Sequence, residues 1–290
     1  MKFACCTELF EGWKLRRIFD HLAKDCGYTA AELTPFSVNE GDGDIRGVSA
    51  AKRRGIAKTA SNAGIEIIGL HWLFAKIKNS AQQFHVTSSS SETRLRTAIY
   101  LQDLAKFCAD IGGKVMVLGS PPNRDLRGAD VRDAFSNVVE TLRRVVPTLE
   151  QTGVTLALEP LAECENDFVT TAEEASILAT TVDSKYVQLL LDCKAIELGE
   201  KETASVATLI RKYGNLLAHF HANESNLQAP GYGDLDFAKI FRALLDINYQ
   251  GYVSVEAFNS DPDVNQFAKE SLRHMWKKLD AASQMPSQAC

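Results

Sequence analysis

The chain has 290 residues, of which 45% are hydrophobic and 24% charged, and its 32 Lys+Arg against 37 Asp+Glu give a formal charge of -5. This composition belongs to a globular chain able to bury a full core, and it excludes collagen-like, low-complexity and disordered classes. The mild acidity argues against nucleic acid or an anionic membrane as the main partner, while a small anionic ligand would need only a local basic pocket.

Eight short β-rich runs alternate with helix-like stretches. KFACCTEL opens at 2–9, and its apolar part is too short for a signal peptide. A helix follows over 13–27, with Leu15, Ile18, Phe19 and Leu22 at helical spacing and Gly27 as its stop. YTAAELTPF at 28–36 is the second run, and a polar, glycine-rich loop follows at 37–50. IEIIGLHWL at 65–73 is the third, with a second long loop at 74–91. A helix over 91–113 ends in Gly-Gly and leads to KVMVLGS at 114–120. The next helix, 131–153, contains Pro147, which predicts a kink or a division. VTLALEP at 154–160 precedes a helix at 171–182 that opens with Thr171 and Glu174 in capping-box spacing. YVQLLLD at 186–192, LLAHFHA at 216–222 and YVSVEAF at 252–258 complete the runs, with helices at 235–251 and 268–282.

The runs start 26 to 49 residues apart, which is the period of a strand, a loop, a helix and a return. Eight such units in one chain predict a single (β/α)8 barrel over 1–290, of the TIM type, in the α/β class. The rival is a doubly wound open sheet. Its nucleotide-binding form needs a glycine-rich turn after the first strand, and TELFEGW has no GxGxxG. Seven cysteines, at 5, 6, 26, 108, 164, 193 and 290, are odd in number and contain no CxxC pair. That favours a reducing compartment, so the expected location is the cytoplasm. No run of apolar residues is long enough to span a membrane.

Four polar residues close four consecutive predicted strands: Glu159, Asp192, His221 and Glu256, separated by 33, 29 and 35 residues. Strand C-termini in a barrel converge on one mouth. Three carboxylates gathered there would repel each other and lose hydration, and a divalent cation removes both costs. Oxygen ligands with one imidazole suit Mn2+, Co2+ or Mg2+, with Zn2+ or Fe2+ also in range. Other residues fall near the same mouth. His71 and Trp72 end the third strand, where Trp72 would stack on a sugar face and His71 would donate to a hydroxyl, unless both only pack the rim. Glu32 ends the second strand and binds a hydroxyl or caps a helix. Arg124, in GSPPNRD, meets an anionic group or pins its loop. PGYG at 230–233 reads as a shaped loop near the site.

The motifs LEPL at 158–161, LLLD at 189–192, HFHANE at 219–224, PGYGDLDF at 230–237 and GYVSVEAF at 251–258 resemble the sugar isomerase/epimerase superfamily of xylose-isomerase-like TIM barrels. The likeness is greatest to the D-tagatose/D-psicose 3-epimerase branch. It implies that Glu159, Asp192, His221 and Glu256 hold one divalent metal, Mn2+ first, with Mg2+, Co2+ or Zn2+ as alternatives. It also implies that Glu159 and Glu256 exchange a proton with opposite faces of a bound sugar, and that Glu165 contacts the substrate. The implied partner is a small carbohydrate-like molecule, and the implied assembly a homodimer or homotetramer.

The chain departs from that branch at two substrate contacts. A histidine is replaced by Ala195 and an arginine by Leu227, with Lys194 available as a substitute charge. Weak or no action on free tagatose, fructose and psicose is therefore expected. The rivals are an inosose-type or sugar dehydratase, a hydroxypyruvate isomerase and a non-enzymatic carbohydrate-binding barrel. A DNA-repair endonuclease of related fold would need more metal ligands than six histidines, two of them in predicted helices, provide.

Overall fold

A computed structural model describes residues 1–259 and 263–288; Cys290 and the end of the 1–290 span lie outside the described residues. Eight parallel strands close into a barrel in sequence order. They are β1 (Lys2–Cys6), β2 (Ala30–Leu33), β3 (Glu66–Leu70), β4 (Val115–Leu118), β5 (Thr155–Leu158), β6 (Val187–Asp192), β7 (Leu217–Ala222) and β8 (Tyr252–Val255). The ring closes where Lys2–Cys5 pair with Tyr252–Val255. Each predicted run contains one strand, shorter than the run because its ends turn into loop at the rim.

The alternation of a β-strand sorts the side chains. Phe3, Cys5, Leu156, Leu158, Leu189 and Leu191 join the large core between barrel and helices. Their neighbours Ala4 and Ala30 form one small apolar cluster with Ile68, and Ala157 and Leu190 form another with Val115 and Val117. These lie on the inner face. Glu32, Glu159, Asp192 and Glu256 follow the same parity, so the strands deliver them into the barrel rather than toward the helices.

The helices differ from expectation in detail. The first is α-helical over Leu15–His21 and then widens into a π-type turn over Leu22–Cys26, ending at Gly27 with φ 92°. The helix Val131–Thr152 runs unbroken through Pro147. The Thr171 hydroxyl caps Ala172–Val182 by accepting from Glu174 N. The helices Ala50–Ala63 and Val206–Tyr213 were not singled out by sequence. In the first, only Ile56 and Ala60 are buried, which leaves little periodic signal. Among the described residues no helix is long and apolar enough to cross a membrane. All six described cysteines are free, and five are buried.

Candidate metal centre and active site

The ends of β5 to β8 bring Glu159, Asp192, His221 and Glu256 together, with one donor atom from each lying within 4.8 Å of the others. Each is held differently. The Glu159 carboxylate fills the space above Gly119, where an added Cβ would stand 1.9 Å from Oε2. Asp192 accepts from Ala195 N at 2.7 Å and from Asn223 Nδ2 at 2.6 Å. Glu256 Oε1 accepts from the Trp72 indole N–H at 2.9 Å, and Oε2 lies 3.2 Å from His221 Nδ1. His221 Nε2 is 3.3 Å from both oxygens of Glu32.

Charge in this quartet is under-compensated. Burial pushes the Glu159 carboxyl up to about 8, with Glu256 and Asp192 adding repulsion. Burial also raises Asp192 to about 6. Burial works against ionised Glu256 too, but His221 and His71 outweigh it and hold that carboxyl well below its ordinary range. His221 Nδ1, buried, has Glu256 Oε2 at 3.2 Å as its charged neighbour but no well-aligned hydrogen bond, a condition that His71 and Glu8 Oε2 share. Three convergent carboxylates and one imidazole nitrogen among them fit a divalent cation bound through oxygen and nitrogen.

Beneath the quartet lies a second polar layer that is internally paired. Glu32, fully buried, meets His219 Nε2 at 2.6 Å as well as His221. Burial would raise Glu32, but the two imidazoles hold it well below the ordinary carboxylate range. His71, also fully buried, pairs with Glu8 Oε2 at 3.0 Å and approaches Glu256 Oε1 at 3.4 Å. Burial disfavours its cation, yet Glu8 and Glu256 raise it to about 10. Cys6, Glu32, His71 and His221 also satisfy the spacing of a metal group. Their charges are already matched by one another, by His219 and by Glu8.

Several sequence expectations need correction. Glu32 and His71 do not line the cavity at the mouth; they sit below it as buried partners of other side chains. Arg124 is 4% exposed, and its guanidinium donates to the carbonyls of Glu159, Val169 and Leu118. It pins the loop after β4 to β5 and has no reach toward a substrate anion. Trp72 does line the cavity, but from a left-handed backbone with φ 51°. It stacks on Phe258, with ring centroids 5.8 Å apart. Such a conformation costs a non-glycine residue of order 1–3 kcal/mol and concentrates at functional sites. Lys194 and Glu165 line the cavity and pair with each other at 2.7 Å. Ala195 is buried under Asp192, and Leu227 is on the surface, 42% exposed. PGYG does not line the cavity; it is tied by Glu224, which accepts from Gly231 N and Leu235 N, each at 3.1 Å.

Sequence reasoning missed Asn223, Glu8 and His219. Asn223 bridges Asp192 to the backbone N–H of Lys194 at 2.7 Å. Its place in HFHANE, two residues past His221, was the available signal. His219, two residues before His221 in the same motif, shared that signal, whereas Glu8 had none because its partner is set by barrel closure.

The family model described as xylose isomerase-like TIM barrel matches residues 21–278. The chain belongs to this family. Among curated proteins, D-psicose 3-epimerase of Enterocloster bolteae is 36% identical over 136 residues, covering 47% of this chain and 42% of that protein. The 3-dehydro-D-guloside 4-epimerase of Escherichia coli is 28% identical over 190 residues, covering 62% of this chain and 71% of that protein. The match to the first of these thus spans under half of that relative's length. A solved D-psicose 3-epimerase, crystallised in the presence of D-fructose, superposes with a TM-score of 0.80 at 22% identity over 96% of this chain and 99% of that one. The structural likeness is one of fold.

Proposed function

We propose that this chain is a divalent-metal-dependent epimerase or isomerase of a sugar or related hydroxy-carbonyl compound, acting as one domain over 1–290. The observation that carries the reading is the division of labour within the quartet. Glu159 and Glu256 line the cavity, whereas Asp192 and His221 do not and are fully buried. Two carboxylates thus face a ligand while two groups face only the interior. The names of curated relatives such as D-psicose 3-epimerase, L-ribulose 3-epimerase and 3-dehydro-D-guloside 4-epimerase support the same reading.

The residues that would hold the cation are Glu159, Asp192, His221 and Glu256. When bound, it supplies Lewis-acid polarisation of a carbonyl and charge for the developing oxyanion. The chain's own groups do the rest. A proton beside a ketone is taken by one cavity carboxylate and returned by the other, which inverts the carbon. The Trp72 N–H fixes the Glu256 carboxylate, and Asn223 fixes Asp192. Lys194 and Glu165 neutralise each other in the cavity wall, so a neutral substrate suits that wall. Manganese is the first choice of metal, with Mg2+, Co2+ and Zn2+ as alternatives.

The test is turnover of keto sugars in D2O with added divalent metal. Deuterium should appear at a carbon next to the carbonyl in a product otherwise unchanged in mass; a product lighter by one water would make the enzyme a dehydratase. Glu256→Gln should lower turnover by about 10²-fold or more while metal is retained. Full activity in that variant defeats the two-glutamate mechanism, and binding of sugar with no exchange would make the chain a binding barrel.

A further inference from the structure

The donors that line the cavity are not equally free to meet a ligand. Lys76 is paired with Glu11, on the loop after β1. Asn123 Nδ2 donates to Ser80 Oγ at 3.0 Å and to the Phe84 carbonyl at 2.8 Å, so both residues are spent on joining the loops after β3 and β4. The Trp72 N–H is spent on Glu256. Gln82 is exposed, and the Ser120 hydroxyl is itself buried. Lys194 differs from all of these. Its ammonium carries three N–H groups. Among the described residues it makes one hydrogen bond, to Glu165 Oε1 at 2.7 Å, which leaves two donors in hand.

The fold fixes this ammonium beside the quartet. Lys194 stands in the first turn of the helix Cys193–Leu198, which Asp192 caps by accepting from Ala195 N. Asn223 Oδ1 accepts from Lys194 N at 2.7 Å while its Nδ2 donates to Asp192 at 2.6 Å, so one amide sets both the lysine and a member of the quartet. Lys194 Nζ lies 4.3 Å from the centre of the Phe258 ring, and Phe258 stacks on Trp72, which holds Glu256. The residue is 2% exposed. Burial works against its charge, but Asp192, Glu256, Glu165 and Glu159 outweigh it and keep the ammonium protonated. Pairing with Glu165 accounts for one of its N–H groups and leaves the other two unexplained. The two positions where the 3-epimerase branch places polar contacts cannot do their work, since Ala195 is apolar and buried and Leu227 lies outside the cavity.

Building on the function proposed above, we propose that Lys194 is a catalytic residue, whose unspent N–H groups donate to the substrate oxygen that gains negative charge as the proton beside the carbonyl leaves. In that step the C–H electron pair becomes a carbon–carbon π bond, the carbonyl π pair moves onto oxygen, and the proton goes to a cavity carboxylate. Lys194 keeps its own protons and is not consumed. Its donation is stronger to the charged oxygen than to the ground-state carbonyl, so it lowers the barrier rather than only binding substrate. The same positive charge repels a divalent cation held by Glu159, Asp192, His221 and Glu256. Lys194 therefore trades metal affinity for stabilisation of the reacting oxygen, a signature that a purely structural ion pair does not carry.

The experiment uses the full chain with Mn2+ and follows solvent deuterium uptake into D-psicose and L-ribulose. Lys194→Met keeps the apolar stem against Phe258 and removes the charge. It should lower kcat by about 10²-fold or more and move KM far less. A second readout needs no turnover: Mn2+ affinity, taken from the paramagnetic signal of the free ion. Lys194→Met should tighten Mn2+ binding by about 5-fold or more, because a like charge has left the site. Glu165→Gln breaks the same ion pair but leaves the ammonium, and should weaken Mn2+ binding instead. A lysine that only props Glu165 would make both variants shift the affinity the same way. Should Lys194→Met fail to fold, its combination with Glu165→Gln leaves no unpaired charge, and is compared with Glu165→Gln alone under the same expectations. A kcat within about 3-fold of the parent, or Mn2+ binding unchanged or weakened by loss of the ammonium, overturns the inference and leaves the epimerase reading intact. Absence of exchange by the unsubstituted chain on every keto sugar overturns both.

Discussion

The barrel interior holds two polar layers that share His221 and obey opposite rules. In the lower layer every described carboxylate has an imidazole: Glu32 has His219 and His221, and Glu8 has His71. In the upper layer three carboxylates share His221, with His71 reaching Glu256 alone, and the other two, Glu159 and Asp192, have their proton affinity raised. The charges of the lower layer are matched as folded. The upper layer is electrostatically unfinished, which suits it to a bound cation. The difference distinguishes buried charge that supports the fold from buried charge held ready for a ligand, within one barrel and about one layer apart.

Removing a carboxylate from each layer should have opposite consequences. Glu32→Ala strands two buried imidazoles and should cost about 3–5 kcal/mol in chemical denaturation, with or without chelator. Glu159→Gln removes a source of repulsion and should leave the metal-free protein as stable as before, or more so, at pH 9, while metal affinity falls. A large loss of stability from Glu159→Gln in chelator would erase the distinction between the layers.

Asn223 tests how far the upper layer is pre-set for its ligand. It orients Asp192 without belonging to the quartet. Asn223→Ala should weaken metal binding by about 10- to 100-fold, the usual cost of losing a partner that orients a ligand. Competition with a metal-sensitive dye measures it, and unchanged affinity would show that the strand ends alone fix Asp192.

The smallest effect is on pH dependence. In metal-free protein Glu159 rises from 4.5 to about 8 and Asp192 from 3.8 to about 6. A carboxyl whose folded value is raised favours the folded state while protonated, so this stability is lost as pH climbs through those folded values. Glu32 is held low, so its contribution is instead lost in acid, as pH falls through its depressed value. Melting curves in chelator should therefore fall by a few degrees between about pH 5 and 8. Saturating Mn2+ should flatten that alkaline slope and leave the acid limb in place.

The upper layer was legible in the sequence because strand ends recur with the βα period and only strand ends converge on the mouth. Glu159, Asp192, His221 and Glu256 could be read by counting. The lower layer was not legible in the same way. Glu32 stands in β2 and His219 in β7, and their contact exists only once the ring has closed. A register irregularity also falls beside His219, where Leu189 pairs with Leu217 and Leu190 with His219, so that Ala218 is an extra residue that alternation alone does not foresee. For Arg124 the loop-pinning alternative is the one the structure shows, and His71 is taken up by carboxylates, for a related reason. A polar residue after a strand looks available for a ligand until the backbone carbonyls and carboxylates around it are counted.

Gly119 acts on the site through the side chain it lacks. The volume its missing side chain leaves is taken up by the Glu159 carboxylate, so the two positions together occupy the room of one residue. An alanine at 119 would make the Glu159 carboxylate swing aside, and with it one donor of the quartet. The residue with no functional group thus sets the placing of the one that carries it.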